Sequence, residues 1–142
     1  MAIEEFQGKY RFLSNFWPAL IVYDGIAYPT VEHAYQAQKT TNEKLRQMVS
    51  EFKTPGEAKR WGSKVLLRND WDNVKDRVME DLVRLKFTTI NDLKRKLVDT
   101  YNEELIEGNN WDDTYWGICR GNGQNKLGKI LMQVRSEIMF AK

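Results

Sequence analysis

The sequence predicts a mainly α-helical fold with small β elements, an α+β class, in a single compact domain over residues 1–142. Three observations carry that expectation. Apolar residues recur at helical spacing through much of the chain, as in Leu45, Met48, Val49 and Phe52, or Val74, Val78, Leu82 and Leu85. IVYDGIAYP at 21–29 places an Asp-Gly step between two apolar and aromatic runs, the signature of a hairpin with a type I′ turn. No repeat, low-complexity tract or linker divides the 142 residues, enough chain to bury a core without disulfides or metal staples.

The elements follow in order. After the hairpin, Thr30 is placed to cap a helix whose first turn holds Glu32, where a negative charge meets the positive helix end. Thr40 with Glu43 resembles a capping box for a second helix carrying Leu45 to Phe52. TPGE at 54–57 supplies a cap at Thr54, a proline at the first helical position and a glutamate at the third. That predicts a helix bearing Ala58, Trp61 and Val65. Asn69 or Asp70 starts a long helix ending near Phe87, and Asn91 caps a shorter one with Leu93 and Leu97. Leu105 and Ile106 suggest a turn closed by Gly108. NNWDDTYWGICRGNGQN reads as a functional loop with a short strand at 116–119. Asn125 then caps a last helix packing Leu127, Ile130, Leu131, Val134 and Ile138.

Composition narrows the function classes. The 22 basic and 20 acidic residues leave a net charge of +2, too little for a broad field that wraps a nucleic-acid backbone, although a local phosphate pocket is compatible with it. One cysteine, Cys119, excludes an internal disulfide, and no leader or membrane-spanning stretch is visible, so a cytoplasmic protein with no membrane partner is expected. No metal is expected: zinc takes three or four ligands, and the chain has one histidine and one cysteine. His33 therefore reads as a packed, hydrogen-bonded residue, and Cys119 lacks any local nucleophile signature.

Five clusters remain. Glu32, Gln36 and Lys39 fall at i, i+4 and i+7, with Tyr35 beside them, on one polar helix side. Such a face is equally a solvated one. FLSNFWP at 12–18 contributes Asn15 and Phe16; the stretch 68–79 contributes Arg68, Trp71 and Lys75, with Trp71 and Lys75 one turn apart. Asp72 and Asp76 can neutralise Lys75, which argues against a nucleophilic amine there. WDDTYWG at 111–117 sets Asp113 three residues before Trp116 and beside Gly117. An indole can stack on a base while a carboxylate supports developing positive charge. GNGQNKLG at 121–128 admits two readings, a phosphate held by free N–H groups at a helix start or a tight turn with Asn125 as cap.

In this order FLSNFWP, DGIAYPTVEHAYQAQKT, SKVLLRNDWDNVKDRVM, LKF, DDTYWG and GNGQNKLGKILMQVR resemble the NADAR, or YbiA-like, family over nearly the whole chain. The resemblance implies a compact, mainly helical fold and a metal-independent, cofactor-free N-glycosidase that hydrolyses a bond between ribose C1′ and nitrogen. The implied substrates are phosphorylated ribosylamino-pyrimidines of the riboflavin pathway or ADP-ribosylated guanine in nucleic acid. Carried over by motif, Glu32, Trp71, Asp113 and Trp116 are active-site residues. Glu32 and Asp113 are the catalytic carboxylates. Trp71 and Trp116, with Asn15, Phe16, Gln36, Lys39, Arg68, Gly117 and Asn125, are the substrate-binding candidates. Related enzymes use a lysine that attacks C1′ to give a Schiff base; Lys75 and Lys39 both stand in matching blocks, and Lys75 is preferred for its proximity to Trp71. The competing class is a module that binds ADP-ribose or a nucleotide without cleaving it. Carboxylates beside the pocket favour an enzyme, because a phosphate binder gains nothing from added negative charge.

Overall fold

The computed structural model describes residues 1–141. It is mainly helical, with three two-stranded β elements among the described residues. Two compact units emerge: Asn15–Lys86, the mid-chain unit, and Met1–Ser14 with Phe87 onward, the terminal unit.

In the mid-chain unit β1 (Ile21–Tyr23) and β2 (Ile26–Tyr28) form the expected hairpin, Ile21 opposite Tyr28. Asp24 and Gly25 turn it at φ 51° and 82°, both positive as a type I′ turn requires. The facing pair Ile21 and Tyr28 is buried while Val22 is exposed, the alternation of a half-buried ribbon. Next comes α1 (Val31–Ala37), capped as expected by Thr30, whose hydroxyl accepts the His33 N–H at 3.0 Å. All seven of its residues are buried. Fully covered Ala34 and Ala37 let α2 (Glu43–Ser50) and α3 (Pro55–Gly62) approach closely. The α2 cap is Asn42, not Thr40: its side chain accepts from the Leu45 N–H at 3.0 Å, and the Thr40 hydroxyl accepts instead from the Asn42 N–H. Thr54 caps α3 with Pro55 at its start, as TPGE predicts, but the helix stops before Val65. Arg46 ties α2 to the hairpin, donating to the Thr40 carbonyl and to the Asp24 carboxylate, each at 2.9 Å. The long helix α3 leads to is α4 (Trp71–Thr89), and Tyr23 reaches it by donating to Asp81 at 3.0 Å. Burial and that carboxylate push the Tyr23 hydroxyl up to about 12.

In the terminal unit the strand at 118–119 and the last helix lie where the sequence places them, while the strand pairings arise from distant contacts. β3 (Ala2–Ile3) pairs in parallel with β4 (Glu104–Leu105), so Leu105 lies in a ribbon rather than a turn. β5 (Gly108–Asn109) pairs in parallel with β6 (Ile118–Cys119). In α5 (Asn91–Val98), Asn91 is the first helical residue and Ile90 the cap, without a side-chain bond. α6 (Lys126–Met139) buries Leu127, Ile130, Leu131 and Val134 as its periodicity predicts. Asn125 is its N-cap residue as expected, but its side chain makes no capping bond. Held at φ 50°, its carboxamide accepts from the Glu107 N–H and donates to the Leu105 carbonyl, each at 2.9 Å. This clamps the strand ends to the α6 start.

Asn125→Ala removes both bonds and leaves a β-carbon residue in a left-handed conformation without asparagine's local bonding. It should cost about 2–4 kcal/mol, read as a lowered urea midpoint. His33 gives a pH signature. Its Nδ1 lies 2.8 Å from the Thr30 hydroxyl and its Nε2 3.0 Å from the Phe52 carbonyl, a pattern satisfied by a neutral ring donating from Nε2. Burial lowers its pKa from the ordinary 6.5. Its contribution to stability is therefore fully present above about pH 6.5 and lost as pH falls through the lower folded value. A Tm series across that range should show an acid limb that His33→Gln flattens.

Candidate active site

The α1 face predicted from i, i+4 spacing is real, but it points inward. Glu32 is buried, and the Gln36 side-chain amide donates to its Oε2 at 2.6 Å, a short charge-assisted bond. The backbone N–H of Glu32 donates to the Asn15 carbonyl at 3.1 Å, and the Asn15 amide points to the Met79 sulfur at 3.4 Å. Asn15 thus fixes the entry to α1 instead of standing apart in an aromatic loop. Lys39 lies just beyond the Gln38 C-cap, outside α1 itself, and its ammonium donates to the Gly62 carbonyl of α3 at 3.1 Å. Burial lowers the Lys39 pKa from 10.5; Glu32 pulls it up and Lys75 pushes it down. Glu32, Lys39 and Lys75 therefore form one electrostatic cluster.

The rest of the 68–79 block frames that cluster. The Arg68 N–H donates to the Lys39 carbonyl at 2.8 Å, while its guanidinium grips the Asp70 carboxylate at 2.6 and 3.1 Å and holds that carboxyl below its ordinary range. Trp71 is buried and its ring meets Tyr35 at 5.2 Å between centroids, so α4 is fixed on α1 by an aromatic pair. The Lys75 ammonium pairs with the Asp72 carboxylate at 3.2 Å. Phe16 is half-buried. Gly62, which contacts both Gln36 and Lys39, carried no sequence signal.

Asp113, Trp116, Gly117 and Asn125 belong to the terminal unit and share one built loop. Asp113 Oδ1 accepts the N–H groups of Tyr115 and Trp116 at 3.1 and 2.9 Å, an Asx turn that presents the Trp116 ring edge-on to Tyr115. Asn109, unremarked in the sequence, is the hub: its Oδ1 accepts from the Trp111 and Asp113 N–H groups and its Nδ2 donates to the Asp113 carbonyl at 2.9 Å. A Cβ at Gly117 would overlap the Glu107 carbonyl, so only glycine fits there. The N–H groups of Gln124, Asn125, Lys126 and Leu127 donate to the carbonyls of Thr114, Gly117, Tyr115 and Trp116 at 2.8 to 3.2 Å. Those donors serve the loop, which leaves the tight-turn reading of GNGQNKLG and removes them from phosphate binding.

Among the described residues no group of three or more His, Cys, Asp or Glu is disposed to hold a metal ion, and no helix is long and apolar enough to cross a membrane. The chain is similar to the N-glycosidase YbiA of Escherichia coli, 39% identical over 139 residues that cover 94% of this chain and 84% of that protein. It is also similar to the N-glycosidase Npun_R5314 of Nostoc punctiforme, 42% identical over 91% of this chain and 86% of that protein. The chloroplastic riboflavin biosynthesis protein PYRR of Zea mays is 39% identical over 89% of this chain, a match to 23% of that longer protein. The fold superposes on the NMR structure of E. coli YbiA with a TM-score of 0.85 and 34% identity, covering 98% of this chain and 84% of that one. The NADAR domain model matches residues 3–139, and the chain belongs to the NADAR family.

Proposed function

We propose that this protein is an N-glycosidase that cleaves the bond between ribose C1′ and a base or amine nitrogen, with Glu32 and Lys39 as its reacting groups. The observation that carries the reading is the buried Glu32 carboxylate, held by Gln36 and electrostatically coupled to Lys39, in a chain similar to proteins named N-glycosidases. As the C–N bond stretches, its electron pair leaves with nitrogen and C1′ gains oxocarbenium character, which a fixed carboxylate stabilises. A neutral amine can then form the C–N bond that replaces the one lost. Ring opening gives an iminium, and water returns the amine and releases the free sugar.

The two lysines differ in their fitness for that attack. Lys75 has its ammonium engaged in an ion pair with the Asp72 carboxylate at 3.2 Å. Lys39 is half-buried against a backbone carbonyl with Lys75 as a like charge, conditions that shift it toward the neutral amine. Lys39 is accordingly assigned the attack and Lys75 the electrostatic role. The resemblance gives Asp113 and Trp116 parts in the same reaction; in their own unit the Asp113 carboxylate shapes the loop that presents the indole. The substrate class proposed is a phosphorylated ribosylamino-pyrimidine, on the similarity to a protein named for riboflavin biosynthesis and the near-zero net charge, which offers no broad field for nucleic acid.

Purified protein should release ribose 5-phosphate from a ribosylamino-pyrimidine phosphate faster than ADP-ribose from a guanine-ADP-ribosylated oligonucleotide. The reverse ranking would reassign the substrate class, and release from neither with tight ADP-ribose binding would support a binding module. Glu32→Gln should lower kcat by about 10²- to 10⁴-fold while far-UV circular dichroism is unchanged. Borohydride added during turnover should trap a covalent sugar adduct that Lys39→Ala abolishes and Lys75→Ala retains. The kcat–pH profile should rise through a midpoint below 10.5, the ordinary lysine value.

A further inference from the structure

We propose that Gly62, at the end of α3, is a positioning residue for both reacting groups: its missing side chain admits the Gln36 carboxamide that holds Glu32, and its carbonyl holds the Lys39 ammonium. The inference rests on the reading of Glu32 and Lys39 above and adds a residue that touches neither substrate nor C1′.

Gly62 does not need to be glycine for its backbone. It lies in an ordinary helical conformation, without the positive φ seen at Gly25 or Gly121, and alanine is the better helix former. The reason is space. A Cβ built on Gly62 would overlap Gln36 Oε1, come within 2.7 Å of its Cδ and lie 3.3 Å from the Lys39 Nζ. Gln36 cannot turn its amide to escape. Its Nε2 is bound to the Glu32 carboxylate at 2.6 Å, and the flipped amide would set two oxygens against each other.

Gln36 Oε1 consequently faces Gly62 with no N–H or O–H partner, the one such buried side-chain atom among the described residues. A Cα–H is a weak donor at best, so the arrangement sacrifices a hydrogen bond to keep the carboxamide aimed at Glu32. The same residue's carbonyl accepts from Lys39 at 3.1 Å. One backbone position therefore sets the carboxylate through Gln36 and the amine directly.

The test uses the full chain as Gly62→Ala, Gln36→Ala and the double variant, and reads Lys39 in ligand-free protein by pH-dependent acetylation with site-resolved mass spectrometry. That readout is independent of turnover, so failure of the N-glycosidase reading, seen as no sugar release by the unsubstituted protein, is distinguishable from failure of this one. In Gly62→Ala the new methyl displaces Gln36 and loosens Lys39 from its buried seat. The Lys39 midpoint should move toward 10.5, with labelling at neutral pH falling about tenfold for each unit of rise. kcat should fall about tenfold or more, with KM changed less. In the double variant the methyl takes the space Gln36 vacates, so the Lys39 midpoint returns to its original value while kcat stays low because Glu32 lacks its donor. A plain helix contact predicts no such rescue. An unmoved midpoint in Gly62→Ala, or an equal shift in the single and double variants, would overturn the proposal. Should Gly62→Ala not fold, a folded double variant with the original Lys39 midpoint supports it and any other result for the double variant refutes it.

Discussion

The hydrogen bond from Gln36 to Glu32 is the constraint around which the mid-chain unit is arranged. A carboxylate placed inside a protein must be given donors, because desolvation costs several kcal/mol and more when it goes uncompensated. Here a donor comes from the same helix, one turn on, at 2.6 Å. Everything around α1 is consistent with holding that pair away from bulk water. Thr30 and Phe52 satisfy His33; Ala34 and Tyr28 receive the Gln38 amide; Val31, Ala34 and Ala37 offer small or branched surfaces to the neighbouring helices. A helix buried on all sides is usually apolar throughout, and this one is not. Its polar residues are each tied to a named partner, except for the Gln36 oxygen turned toward Gly62.

What the sequence made legible was what short-range chemistry decides. The Asp-Gly turn, the Thr30 and Thr54 caps and the α6 stripe follow from conformational preferences that act within four residues, and the structure repeats them. The Thr40 hydroxyl is occupied by the Asn42 N–H, and Asn42, two residues on, caps α2 by accepting the Leu45 N–H. Asn125 was recruited across the chain by Leu105 and Glu107, which no local pattern announces. The parallel pairings β3–β4 and β5–β6 have the same origin: of these strands only β6 lies in a stretch expected to be extended, and partners about 100 or 10 residues away leave no local period to detect.

The site divides along the same line. The i, i+4 relation of Glu32 and Gln36 is a helix property and could be read directly. That the Lys39 pKa is lowered could not, because the cause is partial burial against α3, which folding alone brings about. Gly62 and Asn109 were invisible for a related reason. A glycine's function as an absence of Cβ, and an asparagine's as a loop hub, exist only once distant backbone has been brought against them.

The charges in the cluster act on one another in a way that suits the proposed reaction. Glu32 favours the ammonium form of Lys39 and Lys75 opposes it, so the two neighbours pull in contrary directions and burial tips the balance toward the neutral amine. That balance is conditional. When positive charge develops at C1′, the Glu32 carboxylate is drawn to it, and its hold on the Lys39 proton weakens at the moment a neutral amine is useful. In the proposed reaction the same carboxylate therefore has two parts, one in the leaving of the nitrogen and one in the readiness of the amine. For this to operate, carboxylate and amine must keep a fixed separation while charge moves between them. A flexible lysine tail and a mobile glutamate would relax individually and lose the coupling. Anchoring one through Gln36 and the other on a backbone carbonyl removes that freedom before substrate arrives, so no reorganisation is left to be done as the bond breaks.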